Sequence, residues 1–214
     1  MHRYLVLVIA VVLGGCADKK RSHDIDHDLI HVTNDARLRT DTVGGGDFKD
    51  LSTFVLVEAE NTAKEGANVT LGGELTDEHG VTVGTLRAQS LYIPAGETRT
   101  FALVDKERKP RPTAKGARIR VRGARVPPMP PPAHVEGVRQ ILDGDKAVMQ
   151  GVLKNDGARG GNIMVIATFY DREGKPMTRP FSLVWVEPSS TQAMQFVGPP
   201  GSTHATMFIG DVVY

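Results

Sequence analysis

Residues 162–171 read NIMVIATFYD, and residues 68–77, which lie 94 positions earlier, read NVTLGGELTD. In both stretches apolar residues alternate with other residues, which is the period-two pattern of a β-strand that buries one face. Each stretch ends on an aspartate that opens a turn, DEHG in the first copy and DREG in the second. Asp and Gly at such spacing favour hairpins. The two stretches therefore predict two copies of one β domain.

The same shift of 94 positions aligns the surroundings of both strands. The aligned identities are Asn61 with Asn155, Asn68 with Asn162, Gly80 with Gly174, and Pro94 with Pro188. Short alternating runs separated by turn signals are typical of antiparallel β-sandwiches. We therefore predict an all-β chain with two tandem antiparallel β-sandwiches, the first over residues 29–125 and the second over residues 137–214. Between them, residues 126–136 contain five prolines and predict an extended spacer.

The N-terminus combines a basic residue, an apolar run and a cysteine. Basic Arg3 precedes an apolar run at residues 4–13, and this run is too short to span a bilayer. It ends in Leu13, Gly14, Gly15 and Cys16, which is similar to a lipobox, so the N-terminus resembles the signal of bacterial lipoproteins. The resemblance implies that residues 1–15 are a signal peptide and that acylated Cys16 anchors the chain to a membrane. The alternative is an uncleaved membrane anchor.

The resemblance also implies a location. A lipid-anchored protein of this kind lies in the bacterial cell envelope and faces the periplasm. In enteric bacteria an aspartate directly after the cysteine retains such proteins at the inner membrane, whereas here Ala17 follows Cys16. We therefore expect the outer membrane.

Residues 16–28 are mostly charged and predict a solvated tether. His23, His27 and His31 recur every four residues with aspartates between them, so a transition-metal site is the alternative. We favour the tether and assign no metal, because isolated His and Asp clusters are weak motifs.

The strand at residues 162–171 contains Ala167, Phe169, Tyr170 and Asp171, and Trp185 follows in a later run. On these residues the second copy resembles the small bacterial immunoglobulin-like domains called FxLYD, with Ala in place of the first Phe of the motif, and it is also similar to YcfL-like periplasmic lipoproteins. The resemblance implies that the two tandem sandwiches are immunoglobulin-like. Because these motif residues form the fold and are not catalytic, the resemblance implies a non-enzymatic envelope module.

Composition and motifs exclude several functional classes. One cysteine forms neither an internal disulfide nor a thiolate zinc site, and 6% aromatic residues offer little surface for base stacking. The 26 basic and 25 acidic residues nearly balance, so overall charge predicts no nucleic-acid partner. The chain lacks a G-x-S-x-G elbow, a P-loop and an H-E-x-x-H motif. We predict no enzyme and no cofactor.

Two surfaces are candidates for binding. The first is a basic stripe, since alternation in ARIRVRG places Arg118, Arg120 and Arg122 on one face. Such a stripe binds lipid head groups, lipopolysaccharide phosphates or an acidic protein. The alternative is a solvated edge strand that its charge protects from aggregation.

The second candidate is an outward-facing apolar patch, formed by Met164, Ile166 and Tyr170, where the first copy has polar residues. This patch predicts packing against the first domain, against the spacer or against another protein, and the intramolecular contact is favoured slightly.

Together these features predict a membrane-anchored, non-enzymatic interaction or assembly module with an envelope protein as partner. The alternative is a lipoprotein that binds an anionic lipid head group, lipopolysaccharide or glycan through the basic strand.

Overall fold

The computed structural model describes residues 21–33, 35–44, 47 and 49–213, and β-strands account for most of them. Side chains are described up to residue 210. Within these ranges the strands pair antiparallel and no α-helix is present, so the all-β prediction is confirmed. No described helix is long and apolar enough to cross a bilayer.

The first domain contains eight strands in two sheets. The strands are β1 His23–Asp24, β2 Ile30–Val32, β3 Arg37–Val43, β4 Asp50–Asn61, β5 Ala67–Thr76, β6 Thr82–Ile93, β7 Thr98–Val104 and β8 Gly116–Val126. One sheet has the order β1-β8-β5-β6. In the other, β4 pairs with β2 and β3 and also with β7. The two sheets enclose a core in which Leu71, Leu75 and Phe101 are fully buried.

The second domain repeats this arrangement. Its strands are β9 Ala133–Asp143, β10 Lys146–Asn155, β11 Gly161–Tyr170, β12 Pro176–Thr178, β13 Phe181–Val186, β14 Thr191–Val197 and β15 His204–Val213. Strand β10 lies between β9 and β14 in one sheet. In the other, β11 pairs with β15 along its length and with β12 and β13. Leu153, Ile163 and Phe169 are fully buried in the second core.

The repeated asparagines play the same role in both domains. The amide nitrogen of Asn61 donates to the carbonyls of Glu65 and Ile93, and its oxygen accepts from the backbone of Ala63. Asn155 donates to the carbonyls of Arg159 and Val186 and accepts from the backbone of Gly157 in the same way. Each asparagine is fully buried and fixes the loop that leads into the next strand.

The repeated aspartates close the hairpin turns. The carboxylate of Asp77 accepts from the backbone of His79 and Val81, and that of Asp171 accepts from Glu173 and Lys175. Gly80 and Gly174 follow with φ of 76° and 73°, a left-handed conformation that glycine adopts without a steric penalty. The identities of Asn61 with Asn155, of Asp77 with Asp171 and of Gly80 with Gly174 therefore lie at positions with a specific backbone role.

The structure differs from the expected tether at its C-terminal end. Residues 23–24 form β1, which pairs with Val126 and Arg125 of β8, and His27–Leu29 form a 3₁₀ turn. The backbone of Ile25 donates to the carbonyl of Ala124, and its side chain packs against the first core. One apolar residue among charged ones, together with a free sheet edge, is enough to order this segment. The first domain thus starts before residue 29.

The spacer is shorter than expected at its C-terminal end. Strand β8 continues to Val126, and β9 begins at Ala133, which is buried in the second core. Residues 127–132 connect the domains, and the carbonyl of Pro132 accepts from the backbone of Asp156. Prolines cannot donate to a sheet, so the strand pairing stops within this segment.

Substitution of Asn155 by alanine tests the role of the buried asparagine. Asn155→Ala leaves several buried backbone groups without partners, so we expect a loss of about 1–3 kcal/mol in the free energy of unfolding. Urea denaturation monitored by fluorescence of Trp185, which lies in the second domain, measures the change. Asn68→Ala, at an exposed strand position, is the control. Equal stability of Asn155→Ala and the wild type would contradict the role.

Candidate interaction surfaces

The N-terminal features lie mostly outside the structure. Cys16 and the apolar run at residues 4–13 lie outside the described residues. His23, part of the His and Asp pattern, lies 3.1 Å from a carboxylate oxygen of Glu65. Among the residues that the structure describes, no three His, Cys, Asp or Glu side chains are close enough to hold a metal ion.

The basic stripe lies on β8 with the expected alternation. Arg118, Arg120 and Arg122 are exposed, whereas Ile119 and Val121 pack against the first core. A β-bulge follows, since Leu71 pairs with Val121 but Thr70 pairs with Gly123. The extra residue is Arg122, and after it the inward positions shift to Ala124 and Val126. Arg125, which is exposed between them, is therefore the next outward-facing arginine after the bulge.

Two of the three arginines have partners in the first domain. Arg118 donates to the carbonyl of Gly80 at 2.8 Å, and a nitrogen of Arg120 lies 3.6 Å from a carboxylate oxygen of Glu74. Arg122 lies across Gly72, where a Cβ atom would come within 3.2 Å of its Nε. Within the described part of the chain, Arg122 has no acidic partner. Its guanidinium therefore makes none of the contacts that Arg118 and Arg120 make with Gly80 and Glu74.

The apolar patch on β11 lies against the first domain. Ile166 and Tyr170 are buried, and Met164 is partly buried. Ile166 and the neighbouring Phe208 of β15 belong to the hydrophobic cluster of the first domain, with Met164 packed beside them. Of the contacts that the sequence left open for this patch, the structure therefore shows the one with the first domain. Ile166 and Tyr170 are consequently not available to an external partner.

The hydroxyl of Tyr170 links the two domains. It donates to the carboxylate of Glu58 at 2.8 Å and lies 2.9 Å from the hydroxyl of Thr100, both in the first domain. Thr206 of β15 lies 3.4 Å away. Burial of the phenol raises the pKa of Tyr170 to about 12, because the phenolate loses its hydration. The buried phenol thus has polar partners from both domains.

Charged residues surround this contact. A nitrogen of Arg37 lies 2.5 Å from a carboxylate oxygen of Asp171, so the repeated turn of the second domain also holds the first domain. Backbone N–H groups, first that of Lys175, and the Arg37 guanidinium lower the pKa of Asp171. Arg39 donates to the carbonyl of Met177. The interface therefore combines an apolar centre with a polar rim.

Two arginines contact the ring of Phe208. The guanidinium carbons of Arg99 and Arg179 lie 4.9 and 5.9 Å from the ring centroid, within the range of cation–π attraction. Burial lowers the pKa of Arg179 to about 10, and its Nε and Nη2 are buried without an acceptor among the described residues. Contact with an aromatic ring partly compensates for the lost hydration.

An apolar stripe that the sequence analysis missed remains exposed on β13. We call Phe181, Leu183 and Trp185 the β13 stripe; their exposed fractions are 53%, 57% and 56%. They pair with Ile166, Met164 and Asn162 of β11, and directly opposed residues share one face of a sheet. The stripe therefore continues the face that the first domain covers at Ile166. The alternation in FSLVWV predicts a strand, but it does not show which of the two faces of that strand is exposed.

Strand β13 is an edge strand. It pairs with β11 on one side, and no strand in the described residues pairs with its other side. Residues 181–186 carry no charge and no proline, the devices that usually protect an edge. The corresponding strand of the first domain, β6, differs. At the positions that match Phe181, Leu183 and Trp185 in register it carries Ala88, Ser90 and Tyr92.

A groove lies where the spacer crosses both domains. Its volume is about 630 Å³. Tyr92 and Asn68 of the first domain, Met129 of the proline segment and Ile209 of the second domain are among the lining residues. The proline segment thus forms one wall of a cleft.

Comparisons with known proteins give no family. No protein-family model matches the chain, and no curated protein matches it in sequence. Among solved structures, a β-glucuronidase from glycoside hydrolase family 2 is similar, with 12% identity and a TM-score of 0.27. The match covers 78% of this chain and 21% of that protein, so the chain spans about a fifth of its length. A likeness at this level assigns neither fold nor activity.

Substitution of Tyr170 tests the link between the domains. Tyr170→Phe removes the hydroxyl from Glu58 and Thr100, and we expect a loss of about 1–3 kcal/mol in the free energy of unfolding at neutral pH. In the wild type the folded state keeps the phenol proton after the unfolded state loses it at pH 10. Stability should therefore fall by up to about 1.4 kcal/mol per pH unit from pH 10 to 12 because of this group.

Denaturant unfolding as a function of pH measures both effects. Tyr170→Phe should show a shallower decline above pH 10 than the wild type. Tyr92→Phe, at a partly exposed tyrosine, is the control and should keep the contribution of Tyr170. The same decline in Tyr170→Phe and the wild type would show that the hydroxyl is not buried between the domains.

Proposed function

We propose that this chain is a non-enzymatic, membrane-anchored lipoprotein of the bacterial cell envelope that acts as a protein-interaction module. The observation that carries the proposal is the β13 stripe. Large apolar side chains that stay more than half exposed on an edge strand mark a surface that contacts another protein. Cys16 supplies the anchor in this proposal, on the strength of the lipobox resemblance.

The contact between the domains supports the role of the stripe. The second domain already uses the same face of β11 and β15 to bind the first domain, through Ile166, Phe208 and Tyr170. Because this interface holds the two domains together, it also fixes the orientation of the β13 stripe relative to the first domain. The stripe therefore lies on a β-strand of a two-domain unit and not on a loop.

Site-specific cross-linking in cells tests the proposal. A photoreactive residue at Leu183 should form an adduct with one discrete protein, because this position lies at the centre of an apolar contact. The same residue at Ser90, the register equivalent on β6, is the matched control and should form none. Cell fractionation and immunoblotting provide the measurement. Cys16→Ser should move the protein out of the membrane fraction.

Two outcomes would contradict the proposal. If the adduct at Leu183 does not exceed the level at Ser90, the chain does not act as an interaction module through this stripe. If Cys16→Ser stays in the membrane fraction, Cys16 is not the membrane anchor.

A second candidate function is binding of an anionic envelope component, a lipid head group, lipopolysaccharide or glycan, through the basic stripe. The observation that favours it is the absence of an acidic partner for Arg122 among the described residues, while Arg118 and Arg120 contact Gly80 and Glu74. An unneutralised guanidinium retains its capacity for bidentate contact with phosphate or carboxylate.

Charge reversal tests this candidate. Arg122→Glu should weaken binding to vesicles that contain anionic lipid more than Arg118→Glu does, because Arg118 donates to the protein itself. Arg172→Glu, an equal change of net charge in the second domain, is the control. Vesicle co-sedimentation at increasing salt measures binding, which should fall as screening increases. If vesicle binding changes neither with salt nor in Arg122→Glu, the basic stripe is excluded as the binding site.

A further inference from the structure

We propose that β13 pairs antiparallel with β13 of a second copy of this chain, with the two-fold axis at Leu183. The inference rests on the proposed role of the β13 stripe as a protein contact and names its occupant. The two copies of the four-stranded sheet formed by β11, β12, β13 and β15 join into one continuous sheet. The paired stripes then form an apolar band across the centre of its face.

The order of residues along β13 is self-complementary. In an antiparallel pair centred on residue 183, the numbers of opposed residues add to twice 183. Leu183 therefore opposes Leu183 of the second copy, and Phe181 opposes Trp185 of the second copy. All three stripe positions then lie on the same face, and each aromatic ring has an aromatic neighbour across the strands. Such cross-strand pairs stabilise antiparallel sheets.

The residues that flank β13 are compatible with this register. Arg179 and Glu187 of the second copy are opposed in number, but the Arg179 guanidinium is buried against Phe208 of its own chain, so no ion pair is expected at the ends. The intervening positions are uncharged, so no like charges are opposed in this register. Pro180 and Pro188 stand just outside the strand and lack the N–H groups that would extend the pairing. A slip by one residue would oppose stripe residues to inward-facing ones.

Continuity with the interface between the domains favours a second copy. The first domain covers the outer face of β11 at Ile166. Phe181, which pairs with Ile166 in the sheet, is already more than half exposed. Pairing of β13 across the two-fold axis covers this remaining part of the face from the other copy. The equivalent edge at β6 presents Ala88, Ser90 and Tyr92, a pattern without this apolar symmetry. Only the second domain is therefore expected to form the dimer contact.

The size of the contact predicts a weak dimer. Six-residue strands with three large apolar side chains each bury less than the roughly 1,200 Å² at which stable interfaces begin. The equilibrium should therefore depend on concentration. Anchoring of both copies to one membrane raises their effective concentration and favours the pair.

Disulfide trapping of the full chain tests the register. In a Cys16→Ser background, Leu183→Cys should form a covalent dimer on mild oxidation, because Cβ atoms of opposed residues lie about 5 Å apart. Phe181→Cys and Trp185→Cys should each remain uncrosslinked alone but form a heterodimer when mixed. Ser90→Cys is the control on β6. Non-reducing electrophoresis gives the yields.

Sedimentation velocity of the chain without introduced cysteines tests the dimer itself. The sedimentation coefficient should rise with concentration, and the triple variant Phe181→Ala, Leu183→Ser, Trp185→Tyr should remain monomeric. This variant copies the residues of β6 and so keeps a strand that the fold tolerates. Leu183→Lys, which places two charges at the axis, is a second variant that should also remain monomeric; circular dichroism checks the folding of both.

The outcomes separate this inference from the proposed function. Equal trapping at Leu183→Cys and Ser90→Cys, or a wild-type chain that stays monomeric at about 1 mM, would overturn the pairing. If an adduct of Leu183 with a different protein forms in cells at the same time, the interaction role stands with that other occupant. If the cross-linker at Leu183 captures nothing, the interaction role fails as well.

Discussion

The buried contact between the outer face of β11 and β15 and the first domain determines the shape of this molecule. A sandwich domain normally exposes the outer faces of its sheets to water. Here Ile166 and Phe208 instead join the hydrophobic cluster of the first domain, and the hydroxyl of Tyr170 has partners in Glu58 and Thr100. A phenol buried without these partners would be costly, so the two domains must meet in one arrangement. The positions of the spacer and of the β13 stripe follow from that arrangement.

The two copies share the side chains that bond to backbone in loops and turns, but their outward faces differ. Asn61 and Asn155 fix equivalent loops, and Asp77 and Asp171 fix equivalent turns. On the outside, β5 and β8 of the first domain present Glu74 and the basic stripe, whereas β11 and β13 of the second domain present apolar residues. This face is therefore exposed to water in the first domain, whereas the equivalent face of the second domain forms the contact between the domains. Both surfaces therefore lie where the outward-facing residues of the two copies differ.

The sequence was sufficient for what depends on local chemistry. Alternation predicted the strands, and the repeated Asp and Gly residues predicted the turns, because these residues act on backbone within a few positions. The bonds from Asn61 to Ile93 and from Asn155 to Val186 reach across the domain and were not predicted. The sequence also predicted an outward apolar patch at Met164, Ile166 and Tyr170. It could not select the contact of that patch, since Thr100 and Glu58 lie 70 and 112 positions away from Tyr170 in the chain.

Two features needed the three-dimensional arrangement. Residues 23–29 look like a charged tether, and they are ordered because a free edge of β8 and the first core accept β1 and Ile25. The β13 stripe was missed because an alternating strand does not reveal which of its faces is covered. Its exposure results from where the first domain ends over β11, which depends on the packing of the whole molecule.

The contact through Tyr170 makes the two domains one unit. Distance measurement between spin labels tests this unit, with one label at Glu78 in the exposed turn of the first domain and one at Asp145 in the exposed β9–β10 turn of the second. The labels are attached to cysteines in a Cys16→Ser background. We expect one narrow distance distribution in the wild type and a broader one when Tyr170 is replaced by alanine. A broad distribution in the wild type itself would show that the domains move independently.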